Sequence, residues 1–276
     1  MTVQADLPDG FESLDTAGGR AVVRASAKDQ LLRLGIQDKR AFEESRKTAP
    51  PIGTGRGQAV SASLGPGAGR AVIRHYRRGG LAGRVLDDVY FGGARPVEEL
   101  RVSEAARRAG VPTPECLAAL IWRTGLSYSG DLIVREVPDA VPLDQWLERG
   151  CDAASLRKVV GRLADAFASL VAANIYHPDL HAGNVLVQER DPPSLFLIDF
   201  DKAEQRADLS PRLRDRMLFR FNRALVKRGL APRPVGQLTR LRFCKELGIG
   251  GDRDEVRRLF SDCGAHLRRH AWRYKK

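Results

Sequence analysis

Residues 177–184 read HPDLHAGN, and residues 197–201 read LIDFD. Asp179 and Asn184 lie in a polar loop that follows a long apolar segment, and Asp199 follows a short apolar run. These three oxygen-bearing side chains can converge at one place. Phosphoryl transfer needs such a set, because one carboxylate orients and deprotonates the attacking hydroxyl while hard oxygen ligands hold magnesium. Taken singly, Asp179 could instead cap a turn, and Asn184 could fill a left-handed backbone position.

The segments around this loop predict helix followed by strands. Residues 155–173 place apolar side chains on one helical face, which predicts a long amphipathic helix. Apolar runs at 185–187 and 195–198 predict two short strands, joined by a turn at 191–193. From Pro211 onward, the pattern predicts basic helices separated by Gly and Pro.

The first half of the chain has features of antiparallel hairpins. Gly53, Gly55 and Gly57 mark a glycine-rich turn, where missing side chains let backbone N–H groups approach a phosphate. Residues 71–74 read AVIR and predict a strand that carries Arg74. The helical pattern at 96–109 carries Glu99.

This order of segments predicts an α+β protein with two lobes. The N-lobe is expected to be a small antiparallel sheet, and the C-lobe is expected to be larger and helical. Residues 1–50 are assigned to an N-terminal extension and the start of the N-lobe, with helices near 28–34 and 39–47. Residues 51–138 complete the N-lobe, and residues 139–276 form the C-lobe.

The loop and the strand after it resemble the protein-kinase-like fold. The five-residue spacing from Asp179 to Asn184 is similar to the kinase catalytic loop HRDxxxxN, and residues 199–200 are similar to the start of DFG. This resemblance implies that Asp179 is the catalytic base and that Asn184 and Asp199 hold Mg²⁺. It also implies that ATP is the phosphoryl donor.

The same resemblance assigns the upstream residues to the nucleotide. Gly53, Gly55 and Gly57 would lie over the ATP phosphates, and Arg74 with Glu99 would position them. Arg74 departs from the pattern, because kinases generally have Lys there, and a guanidinium fork differs from a point ammonium.

Two departures concern the chain after the strand. Asp201 replaces the Gly of DFG, and no APE triplet follows. Only residues 200–210 separate Asp199 from the helix predicted at Pro211, which leaves no room for a long activation segment. A protein substrate is therefore not expected.

Two further segments resemble the 3-deoxy-D-manno-octulosonic acid (Kdo) kinases of Gram-negative bacteria, within the lipopolysaccharide core kinase family. They are residues 74–81, RHYRRGGL, and residues 198–202, IDFDK; residues 95–99 and 110–114 fit the same pattern. The resemblance implies ATP-dependent phosphorylation of the 4-hydroxyl of Kdo attached to lipid A. It also implies a peripheral enzyme on the cytoplasmic side of the inner membrane.

The sequence leaves more than one acceptor, and a non-catalytic function, open. Arg77, Arg78 and Arg84 are predicted to hold anions of the acceptor or the nucleotide, although a solvated turn would explain Arg77 and Arg78 equally well. The loop also resembles aminoglycoside and choline phosphotransferases, so a core heptose or another small alcohol remains an alternative acceptor. A kinase-like module that binds nucleotide or membrane without catalysis is a further alternative.

The charge of the chain is concentrated at its C-terminal end. Residues 206–276 carry 20 Lys and Arg against 7 Asp and Glu, whereas residues 1–205 carry 26 against 27. This asymmetry predicts an anionic partner, which the resemblance identifies as the lipid-linked acceptor and the anionic membrane surface. The basic, aromatic tail at 267–276 suits a lipid headgroup interface or a solvated terminus. No helix-turn-helix, RNA-binding aromatic motif or zinc finger is present, so nucleic acid is not an expected partner.

Composition excludes several other classes. Apolar residues make up 43% and charged residues 29% of the chain, which excludes collagen-like and wholly disordered proteins. No apolar run reaches the roughly 18 residues of a membrane span, and the first residues lack the features of a secretory signal. Neither the four cysteines nor the five histidines have the spacing of zinc ligands.

Overall fold

The computed structural model describes residues 7–52, 59–76, 90–91, 94–125, 127–231, 235–247 and 253–270. The chain divides into two compact units. The first comprises residues 1–104 and 114–136, and the second comprises residues 105–113 and 137–276.

The first unit is built on an antiparallel sheet. Its described strands are β1 (Phe11–Thr16), β2 (Gly19–Arg24), β3 (Pro51–Ile52), β4 (Ala59–Ser63), β5 (Arg70–His75), β6 (Tyr90–Phe91), β7 (Cys116–Thr124) and β8 (Ser127–Arg135). Their order is β1-β2-β7-β8-β5-β4-β3, and β6 also pairs with β8. The helices are α1 (Lys28–Arg33), α2 (Lys39–Thr48) and α3 (Arg95–Arg108), and the last four residues of α3 are counted with the second unit.

Side-chain alternation along the strands gives this sheet an apolar cluster on each face. Leu31 of α1 and Phe42 of α2 pack in the cluster that contains Trp122. The neighbouring strand residue, Ile121, belongs to the other cluster, with Leu100 of α3. Helices therefore cover both faces of the sheet, which explains why β7 reads as a continuous apolar run.

The second unit is mainly helical. Its described elements are β9 (Ala140–Pro142), α4 (Leu143–Glu148), α5 (Ala153–Ala172), β10 (Ile175–Tyr176), β11 (Val185–Gln188), β12 (Ser194–Leu197), β13 (Glu204–Gln205), α6 (Pro211–Lys227), α7 (Gln237–Glu246) and α8 (Arg253–His270). The strands form two small antiparallel sheets, β12-β11-β9 and β10-β13.

Helix α5 forms the centre of the second unit. The Asp152 carboxylate caps its first turn by accepting hydrogen bonds from two backbone N–H groups, those of Ala154 and Ser155. On its apolar face, the Phe167 ring meets Phe221 of α6 and Phe243 of α7 edge-on, with centroids 5.6 and 5.4 Å apart. These contacts fix the helices that flank the 177–184 loop.

Most predicted elements are confirmed, with small differences at their ends. The helix predicted at 155–173 begins two residues earlier as α5, and the strand predicted at 71–74 lies inside β5. Strands β1 and β2 were not predicted. Strand β1 reads FESLDT and lies at the sheet edge, so no strict apolar alternation marks it. In the described ranges, no helix is both long enough and apolar enough to cross a membrane.

Candidate active site

Hydrogen bonds around Asn184 close the 177–184 loop. The Asn184 Nδ2 donates to the main-chain oxygen of Asp179 at 3.0 Å. The main-chain oxygen of Asn184 accepts from the N–H of Ile198, also at 3.0 Å, and Asp199 is the next residue. The structure therefore brings together Asp179, Asn184 and Asp199, the three residues that the sequence indicated.

A glycine lets this loop approach α4 closely. A Cβ atom at Gly183 would lie 3.1 Å from the Asp144 Oδ2 and 3.1 Å from the His181 Cε1. Asp144 is itself buried and pairs with Arg228 at 2.9 Å. The loop is thus packed against a fixed carboxylate.

His177 links the loop to the strand exit that carries Asp199. Its side chain is fully buried, and burial lowers the pKa of the imidazole, which keeps the ring neutral. The Nε2 lies 3.3 Å from the main-chain oxygen of Ile198, so the tautomer that donates from Nε2 fits this contact. The ring also lies 4.9 Å from the Phe200 ring, measured between centroids.

The Asp179 carboxylate has a cationic partner on α6. Arg220 donates from Nη2 to Asp179 Oδ1. Burial raises the pKa of the Asp179 carboxyl, but the hydrogen bond and charge of Arg220, with smaller effects of His181 and Lys202, outweigh burial and leave the pKa lowered. Asp179 is consequently ionised at neutral pH.

His181 also faces this carboxylate. Its Nδ1 accepts a hydrogen bond from the N–H of Gly183 at 3.1 Å, which places the proton of the neutral ring on Nε2. The Nε2 lies 4.0 Å from Asp179 Oδ1. Burial is the main cause that lowers the pKa of His181.

Asp199 has an unusual backbone conformation. Its φ is 67°, in the left-handed region that residues other than glycine seldom adopt. Such conformations persist only where the surroundings impose them, and they are concentrated at functional sites. Here the neighbouring Ile198 is hydrogen-bonded to Asn184, and the side chain of Phe200 is buried.

The donor set suits a magnesium ion held partly by phosphate. The Asn184 amide uses its Nδ2 on Asp179, which leaves Oδ1 as an oxygen that could coordinate a cation, and the Asp199 side chain carries a carboxylate. Mg²⁺ in such sites takes one or two carboxylates and completes its shell with water and substrate phosphates. Over the described ranges, no group of three or more His, Cys, Asp or Glu residues could hold a metal by itself.

In the first unit, Arg74 and Glu99 form an ion pair that includes a third residue. Glu99 is buried, and its Oε2 accepts hydrogen bonds from both the Arg74 guanidinium and the Tyr76 hydroxyl. Arg74 also donates to the Tyr76 hydroxyl at 3.1 Å and lies over its ring, 4.9 Å from the centroid. The arginine that replaces the usual kinase lysine is therefore held in one orientation.

On the opposite face of β5, a buried carboxylate of β8 contacts side chains from β5, β7 and α2. Asp131 of β8 faces His75 across the strand pair, with the His75 Nδ1 2.8 Å from Oδ1. Its Oδ2 accepts from the Trp122 Nε1 at 3.1 Å, and Arg46 of α2 lies 3.5 Å from Oδ1. This network fixes the register of the strand that carries Arg74.

Six of the predicted site residues lie outside the described residues. They are Gly53, Gly55 and Gly57 of the glycine-rich turn, and Arg77, Arg78 and Arg84 of the predicted anion site.

Sequence reasoning missed Arg220, Tyr76 and Asp131. Tyr76 had a usable signal, because it lies two residues after Arg74 and therefore on the same face of an extended segment. Asp131 also had a usable signal, because it is the only acidic residue in the segment SYSGDLIVR, directly before the apolar residues of a strand. Arg220 had none, because it lies 41 residues from Asp179 among many other arginines.

The second unit also contains an apolar cavity of about 200 Å³. Its walls come from helices α4 to α8 and include Leu143, Val160, Phe219, Phe243 and Leu267.

Comparison with known proteins identifies the family of the chain. The model of the "Lipopolysaccharide kinase (Kdo/WaaP) family" matches residues 43–241. The chain belongs to this family. The match confirms the resemblance seen at 74–81 and 198–202 and makes the protein a phosphotransferase that acts on an alcohol acceptor in lipopolysaccharide biosynthesis.

Curated members of the Kdo/WaaP family align with more than half of the chain. A 3-deoxy-D-manno-octulosonic acid kinase from Vibrio parahaemolyticus is 32% identical over 165 residues, which cover 58% of this chain and 67% of the relative. A protein of the same name from Xanthomonas oryzae is 34% identical over 169 residues, 58% of this chain and 63% of the relative.

A solved structure shows the fold of this Kdo/WaaP family member. It is titled "WaaP in complex with acyl carrier protein" and matches with a TM-score of 0.58 at 19% sequence identity, covering 85% of this chain and 92% of that chain. The predicted α+β, protein-kinase-like fold is thereby confirmed.

Proposed function

We propose that this protein transfers the γ-phosphoryl group of ATP to a Kdo hydroxyl on a lipid-linked acceptor, at the 4-position by resemblance. The observation that carries the proposal is the Asn184-centred loop, which brings Asp179 and Asp199 together in a family whose relatives include Kdo kinases. A loop built for turn geometry alone would not need a carboxylate on each side of one amide.

Asp179 is the proposed catalytic base. The acceptor oxygen forms a bond to the γ-phosphorus, the bond from that phosphorus to the bridging oxygen breaks, and ADP leaves with the electron pair. The hydroxyl proton passes to Asp179, which is ionised at neutral pH because of Arg220. A base of low pKa suits a largely dissociative transition state, in which the hydroxyl loses its proton late.

Asn184 and Asp199 are the proposed magnesium ligands. When bound, Mg²⁺ neutralises charge that develops on the phosphates. The chain supplies one amide oxygen and one carboxylate, and His177 keeps the segment that carries Asp199 in place through Ile198. The left-handed backbone of Asp199 is part of this arrangement.

Arg74 is the proposed partner of the nucleotide phosphates. Glu99 and Tyr76 fix its guanidinium, and the side chain of Arg74 is 29% exposed, so it retains access to a ligand. Gly53, Gly55 and Gly57 are proposed to approach the same phosphates through backbone N–H groups.

The acceptor is proposed to lie at an anionic membrane surface, on the cytoplasmic side of the inner membrane. The excess of Lys and Arg in residues 206–276 supports this, because a Kdo carboxylate, lipid phosphates and anionic lipids all attract such a segment. Arg77, Arg78 and Arg84 remain the proposed acceptor or nucleotide contacts outside that segment.

Acceptor profiling tests the proposal. The purified chain is incubated with Mg²⁺, ATP and either a Kdo-bearing lipid A precursor, a core heptose acceptor, or a small amino alcohol. Phosphate gain on the Kdo acceptor alone would support the proposal, and NMR of the product would locate the phosphate. Phosphate gain on the heptose or the amino alcohol alone would show that the acceptor is that compound and not Kdo. Nucleotide binding without any phosphate transfer would favour a non-catalytic module.

The apolar cavity between helices α4 to α8 is the proposed binding site of a second partner. An acyl chain is apolar, as are most of the walls of this cavity, and the solved WaaP structure contains an acyl carrier protein. We propose that an acylated carrier protein binds here. Titration with acylated and unacylated carrier protein would test this, and equal affinity for the two forms would contradict it.

A further inference from the structure

Arg220 has donors to spare beside the proposed catalytic base. A guanidinium has five N–H donors, and in the described part of the chain the Asp179 carboxylate is the hydrogen-bond partner of Arg220. Its Nε is buried and unpaired among the described residues, so this donor is closed to a ligand, whereas the side chain as a whole is 38% exposed. A second anion can therefore reach the exposed part of the guanidinium without displacing Asp179.

Cationic side chains lie around the carboxylate of the base. Arg220 donates a hydrogen bond to Asp179, and the charge of Lys202 also favours the charged form of Asp179. An acceptor hydroxyl must come within hydrogen-bond distance of Asp179, and in a Kdo sugar the ring also carries a carboxylate. Two carboxylates so close repel each other unless a cation lies between them.

We propose that Arg220 is a specificity-determining residue that binds the carboxylate of the acceptor sugar while it holds Asp179. This inference rests on the proposed Kdo kinase function. A guanidinium fork binds carboxylates in a bidentate manner, so it selects an acidic sugar over a neutral one and also sets the distance between its hydroxyl and the base.

The transferred phosphoryl group is the other anion that Arg220 could bind in place of the acceptor carboxylate. The acceptor carboxylate is favoured because Arg220 bonds to the residue that touches the acceptor, whereas the proposed phosphate and metal contacts are Arg74, Asn184 and Asp199. The two possibilities differ in what they predict for a neutralised acceptor.

The test compares a Kdo-bearing lipid A precursor with its carboxyl methyl ester. We expect the wild-type protein to prefer the acid in kcat/KM by about 10- to 100-fold, the loss typical of a charge-assisted hydrogen bond. Arg220→Gln should abolish this preference, and Arg220→Lys should keep only part of it. Arg157→Gln is the matched control, because Arg157 is an exposed arginine on α5, outside the basic segment at 206–276, and should keep the full preference.

The outcomes separate this inference from the proposed function. Equal losses on acid and ester in Arg220→Gln, with the preference intact, would overturn the inference and assign Arg220 to the phosphoryl group or to the orientation of Asp179. Thermal unfolding of each variant checks its fold; if Arg220→Gln does not fold, an undiminished preference in Arg220→Lys overturns the inference instead. Failure of the wild-type protein to phosphorylate the acid would overturn the proposed function and this inference together.

Discussion

Tyr76 donates its hydroxyl hydrogen bond to Glu99, on the same carboxylate oxygen that pairs with Arg74. The buried carboxylate therefore serves two partners, and neither pair is independent of the other. Because Arg74 lies where kinases generally have a lysine, the tyrosine supplies an orientation that a longer, forked side chain would otherwise lack.

The first prediction concerns this shared oxygen. Tyr76→Phe combined with Glu99→Gln should give a non-additive loss in the free energy of unfolding, with a coupling of about 1 kcal/mol or more. Urea unfolding of the two single variants and the double variant measures it. In the control cycle, Lys28→Ala replaces Tyr76→Phe and is combined with Glu99→Gln. Lys28 pairs with Glu12 at an exposed position, so the two losses in the free energy of unfolding should be additive. Additivity in the Glu99 cycle would show that the tyrosine does not support the pair.

The second prediction concerns the network below β5. Asp131→Ala should lower the free energy of unfolding by about 3–5 kcal/mol, because it leaves His75 and Arg46 without their buried carboxylate. Asp15→Ala, which removes a carboxylate that is 89% exposed, should change it by less than about 0.5 kcal/mol. Similar small losses in both variants would show that the network does not hold the strand.

The third prediction concerns pH. Asp179 must be ionised to accept a proton, so activity falls as the pH drops through its pKa. Arg220 lowers that pKa below the ordinary value of 3.8, and its removal leaves burial to raise it. Arg220→Gln should therefore move the acidic limb of the kcat/KM profile to higher pH. An unmoved limb would mean that a group other than Asp179 controls it.

The fourth prediction concerns metal. Asp199→Asn should raise the Mg²⁺ concentration for half-maximal activity by at least about tenfold. Loss of a residue that only orients a metal ligand typically lowers metal affinity by about that factor, and loss of the ligand itself should lower it further. Mg²⁺-dependent stabilisation of the variant by ADP should weaken in parallel. Asp208→Asn, at an exposed position in the following segment, should behave as wild type. Unchanged Mg²⁺ dependence in Asp199→Asn would exclude this residue as a ligand.

The part of the site that could be predicted is the part encoded by local spacing. The interval from Asp179 to Asn184 and the position of Asp199 after an apolar strand are fixed over a few residues, and backbone hydrogen bonds then bring them together. The same holds for α5, whose apolar face is visible in the sequence.

The partners of these residues depend on contacts between distant segments. Arg220 reaches Asp179 from α6, which packs on α5 through the Phe167–Phe221 contact. Strand β1 likewise forms because β2 offers it a paired edge, and its own sequence has little strand character. Neither relationship has a fixed spacing that a sequence pattern could show.

The proposed transfer of phosphate to a Kdo hydroxyl at the 177–184 loop can be measured in a single assay. Wild-type protein and the Asp179→Ala variant are each incubated with Mg²⁺, ATP and a Kdo-bearing lipid A precursor, and the acceptor mass is measured. We predict a gain of one phosphate with the wild-type protein and none with Asp179→Ala. An equal gain with both proteins would exclude Asp179 as the base, and no gain with a wild-type protein that is folded and binds ATP would exclude the proposed transfer.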